Sequence, residues 1–329
     1  MLVGTVFVFS PALILGDIAG DGGRISIMIW VGVIFLYYLL ATLMPIDKII
    51  GRIYPVFAFA LIFMALALMV CLFVKWPSLP ELWDGLGNLG ESKGLLSGQP
   101  IFPCLFITIA CGAVSGFHAT QSPMMARCLT DERLGRPVFY GAMITEGIVA
   151  LIWATVSSWF FFDGGAAEVG ATVSAAAPDV VVKVSKGWLG VLGGILAILG
   201  VVAAPITSGD TAFRSARLIV ADFLHLNQKP VANRLMISIP LFLIAGVLLW
   251  YNIADENGFN VIWRYFGWAN QTLAVFMLWT ATAYLVKFKK GLTYLITMIP
   301  AAFMTAVCTT YICVAKIGLG LPDSWNRAI

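Results

Sequence analysis

Six stretches of this chain, 25–44, 53–74, 188–208, 235–253, 265–286 and 292–315, contain no Asp, Glu, Lys, Arg or His. Each approaches or exceeds the roughly 20 apolar residues that a helix needs to cross a hydrocarbon core. Such runs leave few choices. Backbone amides and carbonyls in lipid must be satisfied within the segment, and a helix does that. Residues 101–117 and 138–161 complete the obvious set, the latter with a single charge at Glu146, and residues 1–15 are apolar as well. Only 11% of the 329 residues are charged, against roughly a quarter in a soluble domain. The expectation is all-α: a polytopic transmembrane helical bundle of about nine spans, forming a single membrane domain over 1–329.

Other classes fall away quickly. A net charge of +3, without a basic patch and interleaved aromatics, gives no footing for nucleic acid. The six cysteines (Cys71, Cys104, Cys111, Cys128, Cys308 and Cys313) show no C-x-x-C spacing and read as small packing residues. No metal or cofactor is implied. GAVSG at 112–116 invites comparison with a serine nucleophile elbow, but Ser115 is followed at once by Gly116, so the G-x-S-x-G spacing fails. There is no H-E-x-x-H, P-loop or dinucleotide fingerprint, and the chain reads as no enzyme. The opening MLVGTVFVFSPALILG lacks the basic region of a signal peptide and reads as part of a membrane helix.

Counting Lys and Arg in alternate connections gives 12 on one side and 8 on the other. The positive-inside rule then puts the N-terminus inside and the C-terminus outside. The loops 76–100 and 163–187 fall on the outer side, and Trp76, Trp159, Trp188, Trp250 and Trp263 fall at outer boundaries, where interfacial aromatics belong.

Two polar stretches interrupt the apolar pattern: GAVSGFHATQSPMMARC at 112–128 and AAPITSGDTAFRSAR at 203–217. Irregular backbone at membrane depth survives only where protein packs it or a watery cavity solvates it, and in secondary transporters such breaks hold substrate and coupling ion. In the first, Ser122 followed by Pro123 reads as a helix start, with Ser122 as cap and free amides facing the break. Those amides would favour an anionic substrate group, with Thr120, Gln121 and His118 beside it. The imidazole is the side chain whose charge changes near neutral pH. The plainer alternative is a shallow re-entrant cap, and Arg127 is as readily a topology-setting charge as a substrate clamp.

In the second stretch Pro205 blocks the helical ladder, and Thr207, Ser208 and Asp210 could line an ion or proton path. Ala212, Phe213, Ala216, Ile219, Val220 and Phe223 recur at helical spacing, and Asp210 and Arg214 stand at i, i+4. An ordinary membrane exit followed by an amphipathic cytoplasmic helix fits equally well. Glu146 stands within span 138–161, where a stray carboxylate costs on the order of 3 kcal/mol. It must face the bundle, as a proton-coupling group or as half of a structural pair. Asn270 and Gln271 form a further polar step, suited to interhelical hydrogen bonds or to substrate contact.

SGFHATQSPMMARCL (115–129), SGDTAFRSARLIVADF (208–223) and WRYFGWANQTLA (263–274) closely resemble signatures of the carbon starvation protein A family. These bacterial and archaeal membrane transporters are associated with uptake of peptides and, in characterised members, of pyruvate with protons. The resemblance implies an inverted-repeat fold with broken helices, similar to the amino acid–polyamine–organocation transporters. It also implies a cytoplasmic-membrane location, a small carboxylate-bearing substrate with a proton as coupling ion, and His118, Gln121, Ser208 and Asp210 as site candidates. Family members begin with further helices that have no counterpart here, so the chain is expected to match the C-terminal two thirds of such a symporter. A non-transporting membrane subunit or sensor, or an inactive fragment, is the rival reading.

Overall fold

The computed structural model describes residues 1–19, 23–43, 47–95, 99–173, 177–228, 230–255, 258–289 and 291–321. Lys229, Lys290 and Arg327, which enter the count of basic residues, lie outside the described residues.

Among the described residues the fold is helical, without strands. In chain order the helices are α1 (Leu2–Ala19), α2 (Arg24–Leu43), α3 (Asp47–Lys75), the single turns α4 (Leu82–Gly85) and α5 (Leu89–Ser92), α6 (Ile101–Ala113), α7 (Phe117–Cys128), α8 (Ala142–Phe162), the single turn α9 (Gly165–Glu168), α10 (Ala177–Ala197), α11 (Ala203–Phe223), α12 (Val231–Ala254), α13 (Gly258–Phe288) and α14 (Leu295–Val314). π-helical turns lead into α8 (Arg136–Gly141) and α11 (Ile198–Val202). Seven helical segments are long and apolar enough to cross a membrane, and Leu2–Asp17 forms a shorter apolar helix. The remaining run of the nine, 265–286, lies within the 31 residues of α13. Of the stretch 163–187 expected as a loop, the described part holds α9 and, from Ala177, the beginning of α10.

The chain packs as two compact units, residues 1–80 with 151–259 and residues 81–150 with 260–329. In the first, Val8, Phe9 and Ala12 of α1, Val31, Ile34 and Tyr38 of α2, Phe213 of α11, and Phe242, Ala245 and Leu249 of α12 make one buried cluster. Phe213 stacks on Phe242 with ring centroids 4.7 Å apart. In the second, Ile107 and Ala110 of α6 pack against Met304, Val307, Cys308 and Tyr311 of α14. All six cysteines are free.

One expected interfacial residue is instead internal. Trp159 is buried and packs against Trp188 with ring centroids 4.5 Å apart and the rings tilted by 47°, with the Lys75 ammonium 5.3 Å from the Trp188 ring. Desolvating a ring edge is offset here by aromatic and cation–π contact within the unit. Trp76 and Trp250 remain exposed.

Candidate functional site

In the second unit α6 ends at Val114, whose backbone turns extended (φ −143°, ψ 80°), and α7 starts at Phe117. The interruption was expected, but the second half-helix starts at Phe117, six residues before the expected start at Pro123, which lies inside α7. Ser122 therefore caps nothing. The N-cap position is Gly116, which has no side chain to bond; Ser115 just before it closes the turn instead, its Oγ accepting from the Phe117 amide at 3.3 Å. The amides of His118 and Ala119 bond the carbonyls of Ser115 and Gly116, at 3.3 and 3.0 Å. The first turn of α7 thus has its amides engaged locally, and the anion cradle expected from free amides is not formed. Gly116 is required for a steric reason: an added Cβ would lie 1.9 Å from the Asn270 carbonyl oxygen of α13.

On α7, His118, Gln121 and Ser122 are half-buried and share one face by their helical spacing. Thr120 lies on another face and donates to its own helix, at the Phe117 carbonyl, 2.9 Å away. Arg127 is exposed at the helix end. His118 is held from one side, with Nδ1 2.8 Å from the Ser115 carbonyl oxygen. A carbonyl can only accept, so Nδ1 carries the proton, and this assigns the tautomer of the neutral ring. The other nitrogen, Nε2, faces Glu146 Oε2 of α8 at 3.7 Å, the two side chains retaining 34% and 42% of their accessibility. With Nδ1–H committed, a neutral Nε2 and an ionised carboxylate would set two acceptors against each other. A single proton between Nε2 and the carboxylate removes that conflict.

Asn270 and Gln271 border the same break. Gln271 is fully buried. With its amide oriented to match its surroundings, it donates to the Val114 carbonyl (2.8 Å) and accepts from the Cys111 amide (2.9 Å). Asn270 Nδ2 lies 3.5 Å from Ser115 Oγ. Interhelical hydrogen bonding, one of the two readings of this step, is what the geometry contains.

In the first unit the interruption expected at 203–217 is absent: α11 runs unbroken from Ala203 to Phe223. The irregularities fall earlier, at Gly190 (φ +62°), a backbone conformation glycine tolerates, and in the π-helical turn Ile198–Val202. A proline ring clashes with the carbonyl four residues back; the wider π turn directly before Pro205 makes room for it. Thr207 Oγ1 donates to its own helix, at the Ala204 carbonyl (2.8 Å), and Ser208 is half-buried beside it. Asp210 is buried and meets Arg214 at 3.1 Å. The expected division of faces is met only in part: Phe213 is buried, but so are Asp210 and Arg217, whereas Ile219 and Phe223 are exposed. In a bilayer that is the favourable arrangement, since charge belongs inside the bundle and apolar side chains against lipid.

Sequence reasoning missed Ser115 as the residue that closes the turn into α7 and orients His118, and Cys111 as a partner of Gln271. Ser115 stands three residues before His118 next to a glycine, a pattern that could have suggested such a turn. Nothing in one sequence indicates the Cys111 contact.

These features define a polytopic helical membrane protein with an interrupted helix and ionisable side chains inside its spans. The chain matches the family described as carbon starvation protein CstA over residues 18–188 and 163–311, and it belongs to that family. An uncharacterised membrane protein of Haemophilus influenzae is 39% identical over 204 residues, covering 49% of this chain and 55% of the relative. The peptide transporter CstA of Escherichia coli is 29% identical over 71% of this chain and 41% of the relative. The pyruvate/proton symporter BtsT of the same organism is 27% identical over 72% of this chain and 43% of the relative. The chain thus spans about half, or less, of the length of these curated relatives. The two relatives with named activities are transporters, not enzymes. No solved structure shows a significant match.

Proposed function

We propose that this chain serves a secondary active transporter of the bacterial cytoplasmic membrane, importing a small carboxylate-bearing nutrient, a short peptide or pyruvate, together with a proton. The observation that carries the reading is the His118–Glu146 pair at the α6–α7 break, 3.7 Å apart with Nδ1 of the ring already committed. Such a pair exchanges one proton with an aqueous path without stranding a permanent charge. Asp210 is the poorer carrier, because its charge is already engaged by the Arg214 guanidinium 3.1 Å away. Gln121 and Ser122, on the His118 face of α7, offer neutral donors to a substrate carboxylate beside the proton site. Thr207 and Ser208 contribute to the path within their own unit.

The N-terminus is placed inside and the C-terminus outside. The charge asymmetry supports this, while helix-end contacts within each unit support the alternation of the spans in either orientation. Arg24, at the start of α2, bonds the Ile253 carbonyl near the end of α12 (2.7 Å), and Lys75, at the end of α3, pairs with Glu168 just after α8. In the second unit Tyr265, early in α13, bonds the Ile317 carbonyl just beyond α14. Each contact joins ends that the alternation puts on the outer side.

The test is uptake by the purified chain in vesicles under an imposed pH gradient, with pyruvate and short peptides as candidate substrates. Gradient-driven accumulation is expected. Glu146→Gln should abolish accumulation and spare substrate exchange at equal pH. Absence of accumulation by the unmodified chain overturns transport by this chain, as a non-transporting subunit, sensor or fragment would behave. Unchanged accumulation by Glu146→Gln removes the pair from coupling.

A further inference from the structure

We propose that Gln271 of α13 is the positioning residue of the His118–Glu146 pair, determining through the broken backbone which ring nitrogen faces the carboxylate. Gln271 is fully buried, and an amide so placed must have both ends bonded. Its two partners are backbone groups of the last turn and end of α6, the Val114 carbonyl at 2.8 Å and the Cys111 amide at 2.9 Å. In an unbroken helix the Val114 carbonyl would take the His118 amide. Here that amide bonds the Ser115 carbonyl at 3.3 Å, and Gln271 supplies the donor that Val114 has lost.

The consequence is transmitted one residue along. The Ser115 carbonyl belongs to the residue directly after Val114, and it receives both the His118 amide and His118 Nδ1, the latter at 2.8 Å. Asn270 holds the same stretch from beside Gln271: its Nδ2 lies 3.5 Å from Ser115 Oγ, and its backbone carbonyl closes on Gly116. Helix α13 therefore pins Val114 to Gly116, and the direction of the Ser115 carbonyl follows. That direction keeps the proton of the neutral ring on Nδ1 and leaves the Nε2 lone pair for the proton shared with Glu146. The titratable groups facing the pair are its own two members and, from α6, the Cys111 thiol, within electrostatic reach of Glu146. At this level α13 presents the neutral amides of Asn270 and Gln271. The inference rests on the transport reading for its consequence, whereas the tautomer itself is measurable without transport.

The experiment is nitrogen-15 NMR of the histidine rings of the whole chain in lipid vesicles. It uses a His225→Gln background, so that His118 alone reports, since the chain has two histidines. In that background the neutral ring is expected in the Nδ1–H form. Gln271→Met, close in volume but without hydrogen-bonding groups, should move the Nδ1–H to Nε2–H ratio toward Nε2–H by about tenfold, the order of one lost hydrogen bond. Gln271→Leu, likewise without hydrogen-bonding groups, should shift the ratio in the same direction and serves if the Met variant does not fold. A ratio unchanged in the folded variants, or an Nε2–H ring in the background protein, overturns the proposal. Uptake is not part of this readout, so a failure of transport counts against the transport reading alone.

Discussion

At the α6–α7 break a carboxylic acid faces an imidazole, part of both side chains remaining accessible; in α11 a carboxylic acid faces a guanidinium with the acid almost wholly buried. Both stretches are rich in glycine, serine and threonine around a proline, and both put an acid within reach of a base. The partner decides what each can do. An imidazole can be a proton donor or acceptor, which is what the proposed coupling role asks of the first pair. A guanidinium keeps its proton, so protonating the acid of the second pair would give up a buried ionic contact. The backbone follows the same division. The first stretch opens the helix and ties its loose ends to polar groups of α13; the second keeps the helix whole and absorbs its proline in a wider turn.

The comparison is most exposed to Arg214→Leu. Asp210 retains only 4% of its accessibility, and Arg214 is its partner at 3.1 Å. Removing one member of a buried pair costs about 3 kcal/mol, to be read as lost stability in denaturant unfolding in detergent. His118→Gln, in the more open pair, should cost less than about 1 kcal/mol in the same measurement while removing the pH dependence of uptake. Equal losses of stability in the two variants would erase the distinction between a structural and a working pair.

Helices were legible in the sequence wherever long neutral runs left the backbone no partner but itself. The positions of the irregularities were not, because tertiary contacts set them. Ser122–Pro123 carries a good local start signal, yet α7 begins at Phe117 because the Asn270 carbonyl presses on Gly116 and Ser115 closes the turn. Pro205 reads as a helix end, yet the π turn before it lets α11 run through. Glu146 was legible as an acid within a span needing a partner, but the burial expected of it is not met, since its side chain keeps 42% of its accessibility. That the partner is His118, 28 residues earlier on another helix, is visible only once α7 and α8 are packed. The inward Asp210 and outward Phe223 reverse the soluble-protein rule, since the lipid surroundings exchange which face of a helix is costly to expose.

Gly116→Ala tests whether the open break depends on close approach. Its Cβ would meet the Asn270 carbonyl oxygen at 1.9 Å, a backbone atom that cannot turn aside as a side chain can. Overpacking of this kind costs about 2 kcal/mol. Unfolding in detergent should show that loss, and the His118 ring signal should shift with it. Gly135→Ala, where an added Cβ meets nothing within 4 Å, serves as the control and should cost less than about 1 kcal/mol. A Gly116→Ala protein as stable as the control would mean that α13 does not hold the break.

The smallest effect belongs to the continuous stretch. The Tyr38 hydroxyl of α2 is 3.0 Å from the carbonyl oxygens of both Phe7 and Pro205. Phe7 stands four residues before Pro11 in α1, so its carbonyl lacks the ladder amide that any other residue at position 11 would supply. Tyr38 thus repairs in α1 the kind of defect that Gln271 repairs at the α6–α7 break, but with a group that carries no titratable neighbour into play. Tyr38→Phe should cost about 1 kcal/mol in stability and leave the pH dependence of uptake unchanged. In a Pro11→Ala background, where the ladder amide returns, the same substitution should cost roughly half as much. An undiminished cost there would move the role of Tyr38 from the Phe7 carbonyl to Pro205, and with it the explanation of how α11 stays unbroken.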